Sequence, residues 1–281
     1  MAERQDDVRK HYGLPEMAAK VIAALEILGI DPTRLKAEQL YPFDQLHGRN
    51  IEATRDHVAR LKLSANDHAL DVGSGVGGPA RFIAATSGAK VTGIDLTAEF
   101  VATAVELTKR CGLEGQVAFK EGDALAMPFA DGTFDAALCL YVAMNIEGKA
   151  KLASEIFRVL KPGGRLVWSQ VVLGDAGAPE FPLPWAREAT FSFLTKPETL
   201  RKAIEDSGLK VTEWIDERPV ILAWIERQRA AAAAGSAPPP AATAIPEMLM
   251  GSDFSVRIKN FARNLGEGRV GSIALVAEKP R

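Results

Sequence analysis

Three aspartates and a glycine cluster carry the chemistry legible in this chain. Asp71 closes the apolar run Ala69-Leu70-Asp71-Val72, and Gly73, Gly75, Gly77 and Gly78 follow at once. Glycines there let the backbone turn sharply and approach a ligand closely. Pro79 suits a first helical position, where its missing N–H costs nothing. The free N–H groups of a helix start favour an electron-rich ligand group. Gly73-x-Gly75-x-x-Gly78 formally matches a dinucleotide fingerprint, which by itself discriminates little. Asp71 argues for something else. A carboxylate just ahead of the glycines repels a pyrophosphate and attracts the ammonium of an amino acid. Asp95 lies 24 residues after Asp71, where an acid can accept both ribose hydroxyls, although that spacing also suits a dinucleotide. Together these groups describe a ligand that is a nucleoside at one end and an amino acid at the other.

The elements that must hold them read as alternating strands and helices. After the strand–turn–helix at 68–85 come a strand at 90–95, a helix at 98–110, a strand from 117 leading into a loop, and a strand at 134–140. A helix at 147–160 stops at Lys161-Pro162-Gly163-Gly164, a strong turn signal, and 165–172 is a fifth strand. Such alternation implies right-handed βαβ units on a parallel sheet. Residues 1–65 read mainly helical, with an apolar patch at 21–28, a packed turn at 40–49 and an amphipathic helix at 51–62 whose apolar members are Ile51, Val58 and Leu61. Beyond 172 the expected order is a Pro/Gly-rich loop, a helix at 198–207, a strand at 211–215 and a helix at 217–233. A low-complexity linker within 230–242, a helix at 246–265 and a closing strand at 270–277 follow.

At this point the sequence resembles the class I S-adenosylmethionine-dependent methyltransferases. Their first motif, acidic-x-Gly-x-Gly-x-Gly, is matched by Asp71-Val72-Gly73-Ser74-Gly75-Val76-Gly77. The resemblance implies S-adenosylmethionine as cofactor, held by Asp71, Gly73, Ser74, Gly75, Gly77, Asp95 and Leu140. It further implies that Asp123 and Ala124 of Gly122-Asp123-Ala124 meet the adenine amino group, with Leu96 and Leu125 as apolar walls. Arg158 to Leu166 looks like the family's helix–turn–strand after the site. Asp44-Gln45-Leu46-His47 resembles a segment of small-molecule members near the sterol, tocopherol and glycine/sarcosine methyltransferases. The fold expected is α/β: a Rossmann-like, mostly parallel seven-stranded sheet with helices on both faces and a helical cap. Residues 1–65 contribute to the cap, 66–172 form the cofactor-binding core, and 173–281 supply a substrate-side insertion, a linker and closing strands.

The reaction so implied is methyl transfer to a nitrogen or oxygen of a small molecule by in-line displacement, driven mainly by positioning. C-methylation of a prenylated ring or sterol-like lipid is the alternative within the class. His47 and Tyr141 are the catalytic candidates. His47 is read as acceptor, base or donor, or else as a helix-entry histidine bonded to backbone. Gln45, Asn145 and Trp185 are the substrate candidates. Against these roles stand loop ties for Gln45 and Arg49, capping for Asn145, and plain core packing for Trp185, Phe191 and Phe193. His11 and His57 read as surface groups and His68 as structural. An NAD-dependent oxidoreductase is the rival from another class, opposed by Asp71 and by the lack of a Tyr-x-x-x-Lys relay. A protein that holds the cofactor without transferring its methyl is the other.

The totals bound the rest. A chain of 281 residues, 47% hydrophobic and 25% charged, has ample material for a core. A formal net charge of −2 and the lack of a basic stripe argue against nucleic acid as a partner. Cys111 and Cys139 show no metal spacing, so no metal is expected, and a reducing, cytoplasmic setting suits them. No apolar run has transmembrane length and no signal core precedes the fold. The oligomeric state stays open, a homodimer being one option.

Overall fold

The structure is a computed structural model that describes residues 16–235 and 251–281. His11, the linker residues 236–242 and the first residues of the helix expected at 246–265 lie outside the described residues. Helices α1 (Met17–Ile27), α2 (Ala37–Asp44) and α3 (Asn50–Leu61) precede β1 (His68–Val72). Then follow α4 (Gly78–Ser87), β2 (Lys90–Asp95), α5 (Ala98–Arg110), β3 (Val117–Glu121) and β4 (Phe134–Leu140). A 3-10 turn (Ala143–Asn145), α6 (Lys149–Val159), β5 (Leu160–Leu173), α7 (Pro197–Asp206), β6 (Lys210–Asp216), α8 (Arg218–Ala233), α9 (Phe254–Glu267) and β7 (Val270–Glu278) complete the order.

The seven strands form one sheet in the order β3-β2-β1-β4-β5-β7-β6. The pairs among β1 to β5 are parallel, and β7 runs antiparallel to both β5 and β6. Alternation along each strand divides the core between two faces. Leu70, Val72 and Cys139 join α6 and α7 on one side, while Ala69, Leu138 and Leu140 join α3 and α4 on the other. A third cluster packs α1 and α2 against α5 through Leu25, Phe43, Phe100 and Leu107. The mostly parallel, two-sided architecture read from the alternation is therefore present, with the cap helices laid against its α4 side.

Two local readings change. Residues 40–44 are the end of α2, not a turn, and Pro42 lies inside the helix. Burial of Leu40 and Phe43 outweighs the one backbone bond that proline forfeits. Lys161–Gly164 does not separate helix from strand either. Leu160 already pairs with Phe134 and pairing resumes at Ala136–Arg165, so the segment bulges within β5. Gly163, at φ 80°, lets the chain bulge without leaving the sheet.

Arg81 on α4 is completely buried and forms an ion pair with the equally buried Asp44 at the end of α2, 3.0 Å apart. Its guanidinium also donates to the carbonyls of Val76 (2.7 Å) and Ala104 (3.3 Å) and to Thr108 Oγ1 (3.0 Å). Removing one partner of such a pair strands the other charge. Asp44→Ala is therefore expected to cost about 3–5 kcal/mol in urea unfolding. A loss below about 1 kcal/mol would mean that the pair behaves as a surface bridge.

Candidate active site

β1 pairs with β2 on one side and β4 on the other, so the winding of the sheet reverses there. Ligands of open α/β sheets bind outside the strand carboxyl ends at such a point. The glycine turn occupies it. The amides of Gly73 and Ser74 donate to the Ile94 carbonyl, Gly75 donates to Asp95 Oδ2 (2.8 Å), and Gly77 donates to the Ser74 carbonyl. A Cβ at Gly73 would meet Val142 at 2.3 Å, and one at Gly78 would meet the Asp44 carbonyl oxygen at 2.1 Å. At Gly75, with φ 51°, nothing lies within 4 Å. The turn is thus packed tight at its ends and open at its middle.

Asp71 is 2% exposed, and its Oδ2 has no partner. Burial, reinforced by the Asp95 charge, pushes its carboxyl up to about 7, although the Ala80 amide and Arg81 act in the opposite sense. Ser74 Oγ is buried without a partner as well. Buried polar atoms of this kind are costly unless something satisfies them. The ammonium of an amino-acid ligand would do so for Asp71, and the open face of Gly75 leaves room for the backbone to be approached. Asp95 already accepts Gly75 N–H at Oδ2 and Thr97 N–H at Oδ1 (2.9 Å). Burial raises its pKa against these bonds and those from the Thr97 hydroxyl and the Leu96 amide. Asp123 Oδ1 accepts the Leu125 amide at 2.8 Å. Ala124 and Leu125 lean on the core face that contains Val72 and Ile94, and Leu96 is half-buried. Leu140, 7% exposed, ends β4.

The residues proposed for the acceptor side separate into two groups. His47 and Tyr141 come together: their rings stack with centroids 5.6 Å apart and planes 10° apart. Tyr141 follows β4 with φ 55°, a strained conformation for a bulky residue and one that concentrates at functional sites. Its hydroxyl is buried without a well-formed hydrogen bond. Burial, then the Glu217 charge, raises its pKa. Burial drives His47 down to about 4, so the ring is neutral at physiological pH. Gln45 is buried between Asp44 and Thr54 and touches the glycine turn, since a Cβ at Gly78 would lie 2.6 Å from its Nε2. Asn145 closes the 3-10 turn after β4. Trp185 belongs to an apolar cluster with Met144, Leu183 and Phe261, against which Tyr141 also packs, and its indole donates to Ser192 Oγ at 2.9 Å. Phe191 is exposed.

His57 contradicts the surface reading. It is 1% exposed and faces Glu217 Oε1 at 3.2 Å. On α3 it follows Ala53 and precedes Val58 and Leu61, so helical periodicity already put it on the buried face. Glu217 is a residue the motif search passed over. Its carboxylate accepts the hydroxyls of Ser169 (2.6 Å) and Ser272 (3.3 Å) and faces Arg49 at 3.8 Å. Burial opposes its charge, but His57, Ser169 and Arg49 outweigh burial and lower its pKa. Arg49 also pairs with Asp56, which makes it a tie between α3 and α8 in place of a free donor. A cavity of about 290 Å³, lined by Arg49, His57, Arg60 and Glu217, flanks this cluster and does not reach the glycine turn. Arg81 and Thr54 were also passed over. A lone arginine within the apolar helix 78–87 was the available signal for the first, and nothing local marked the second.

This sheet order, with an acid-led glycine turn at its switch point, is the Rossmann-like methyltransferase fold. Residues 70–168 match the family model for a methyltransferase domain. An O-methyltransferase of Aspergillus sclerotiorum, resE, is 34% identical over 168 residues, 59% of this chain and 63% of that protein. The botryococcene C-methyltransferase of Botryococcus braunii is 42% identical over 123 residues, 43% of this chain and 32% of that one. The chain thus spans less than two thirds of the length of these curated relatives. The geranyl diphosphate C-methyltransferase of Streptomyces coelicolor A3(2) shares the fold, with a TM-score of 0.70 at 18% identity over 98% of both chains. No helix among the described residues is long and apolar enough to cross a membrane.

Two outcomes are expected. A ligand ammonium stabilises ionised Asp71, so binding must expel a proton wherever the free protein holds one. Calorimetric affinity for S-adenosylhomocysteine should be flat above the Asp71 pKa of about 7 and fall by up to roughly tenfold per pH unit below it. Asp71→Asn removes that slope, and a slope that survives the substitution refutes the assignment. Asp95→Ala should weaken the same ligand by about tenfold or more, the worth of a hydrogen bond to a charged group, while circular dichroism stays native. Unchanged affinity would remove the ribose role.

Proposed function

We propose that this chain is a methyltransferase that moves the methyl group of S-adenosylmethionine to a nitrogen or oxygen of a small molecule. One observation carries this reading: the buried carboxylate of Asp71, with its Oδ2 left without a partner, beneath a glycine turn whose centre is open. In this reading Asp71 and Ser74 hold the amino-acid end of the cofactor, Asp95 its ribose, and Asp123, Ala124, Leu96 and Leu140 surround its adenine side. Bound there, the cofactor supplies an electrophilic methyl on a sulfonium centre.

The protein's own contribution is positional. Gly73 to Gly78 fix the turn, and the cap holds His47 and Tyr141 beside the β4 exit. Orientation of this kind can supply several kcal/mol of the barrier, on the order of 7 or more in well-aligned systems. Where the acceptor atom bears a proton, His47 would take it. Asn145, which ends the 3-10 turn after β4, is the candidate acceptor contact, while Gln45 is committed to Asp44 and Thr54 and Trp185 belongs to the apolar wall with Met144. C-methylation of a prenylated ring or sterol-like lipid is the second reading, favoured by the 42% identity to a botryococcene C-methyltransferase.

Parallel calorimetric titration with S-adenosylmethionine, S-adenosylhomocysteine and NADH separates the classes. Binding of the first two and none of NADH is expected, and NADH binding alone would overturn the reading. A screen of amines, phenols and prenylated rings then identifies the acceptor. His47→Ala should lower kcat about a hundredfold, typical for loss of a proton-transfer group, with cofactor affinity within about twofold. Equal losses in both would assign His47 to structure.

A further inference from the structure

His47 is wired to the glycine turn by a buried chain of hydrogen bonds whose direction follows from counting donors. Arg81 donates to the Val76 carbonyl within the turn and to Asp44 Oδ2. A carboxylate only accepts, so Gln45 must present Nε2 to Asp44 Oδ1, at 2.8 Å. That choice orients the amide and leaves Gln45 Oε1 facing Thr54, whose hydroxyl donates to it at 2.5 Å. A hydroxyl has one proton. With that proton committed to Gln45, Thr54 Oγ1 can only accept from His47 Nε2, 3.0 Å away.

We propose that Asp44, Gln45 and Thr54 are positioning residues that hold neutral His47 as its Nε2–H tautomer, which makes Nδ1 the atom that receives a proton. The opposite tautomer would donate from Nδ1 to the Gly48 carbonyl at 3.2 Å. It would then need the Thr54 proton at Nε2, and Gln45 Oε1 would be left buried without a donor. Gln45 is 4% exposed and Thr54 fully buried, so water does not replace the missing bond.

The same geometry suits the ring after it has taken a proton. Nδ1–H then finds the Gly48 carbonyl, Nε2–H keeps Thr54, and the Tyr141 face stacks on the cation. Of the charged and titratable groups that act on the ring, Glu217 favours the protonated form, and Arg49 and His57 oppose it. Any use of the ring in methyl transfer rests on the function proposed above. The tautomer itself is a property of the free protein, so the two can fail separately.

Long-range ¹H–¹⁵N correlation spectra of the ¹⁵N-labelled full chain near neutral pH read the tautomer directly, with the His47 signals identified by their loss in His47→Gln. The wild type should show a protonated Nε2 and a bare Nδ1. In Thr54→Val the acceptor for Nε2–H is gone, and the proton should move to Nδ1; Thr54→Ser should restore the wild-type pattern. Gln45→Met frees the Thr54 proton for Nε2 and should produce the same move, which keeps the test available should Thr54→Val fail to fold. A wild-type ring protonated at Nδ1, or a tautomer unmoved in the folded variants, overturns the proposal.

Discussion

The Arg81–Asp44 pair holds the cap against the cofactor turn. Two opposite charges withdrawn from water gain little net stability from each other, yet neither can be removed without stranding its partner. The guanidinium spends its donors on three separate elements: the Val76 carbonyl of the turn, Asp44 of α2, and the Ala104 and Thr108 positions of α5. The spacing between cap and turn is thereby set by the rigid planar fork of one side chain. Gly78 is what permits that spacing, because any Cβ there would strike the Asp44 carbonyl. Everything on the acceptor side inherits its position from this contact, including the stacking of His47 on Tyr141.

Two buried carboxylates show opposite uses of desolvation. Glu217 is surrounded by donors from β5, β7 and α3, and it stays ionised as a structural anion. It fastens the start of α8 onto α3, a junction that Arg227–Glu52 also bridges, while Arg60–Glu213 ties α3 to β6. Asp71 is buried to a similar degree with an oxygen left unpartnered, and its proton affinity rises accordingly. A folded protein rarely tolerates such a group without a reason. In the proposed reading the reason is an incoming ammonium. A reaction that relies on orientation also needs a scaffold that does not yield, and the ion-paired closure of α8 on α3 supplies one.

Much of the scaffold was readable from local pattern. The strands at 90–95 and 134–140 and the helix at 98–110 appear with the expected bounds, because period-two and period-3.6 apolar patterns report directly on burial. The misreadings share a cause. Pro42 and the Lys161–Gly164 run carry strong local breaking signals, and tertiary burial or sheet pairing overrode them. His57 looked solvent-exposed because its partner, Glu217, comes from a distant part of the chain. Trp185 packs on Phe261 in an apolar cluster that Tyr141 also meets.

The sequence by itself determined the class of ligand and the place it meets the fold. An acid ahead of a glycine turn and a second acid at the next strand end are short-range features, and their chemistry survives translation into almost any packing of that unit. It could not determine which polar residues satisfy one another. Whether Gln45 faces substrate or Thr54, whether Arg49 is a free donor or tied to Asp56 and Glu217, and which nitrogen of His47 holds a proton are questions of pairing across the chain. Hydrogen bonds are directional and each donor serves few acceptors. Only the folded arrangement, with α2, α3, α4 and α8 brought to one corner of the sheet, decides who is left with whom.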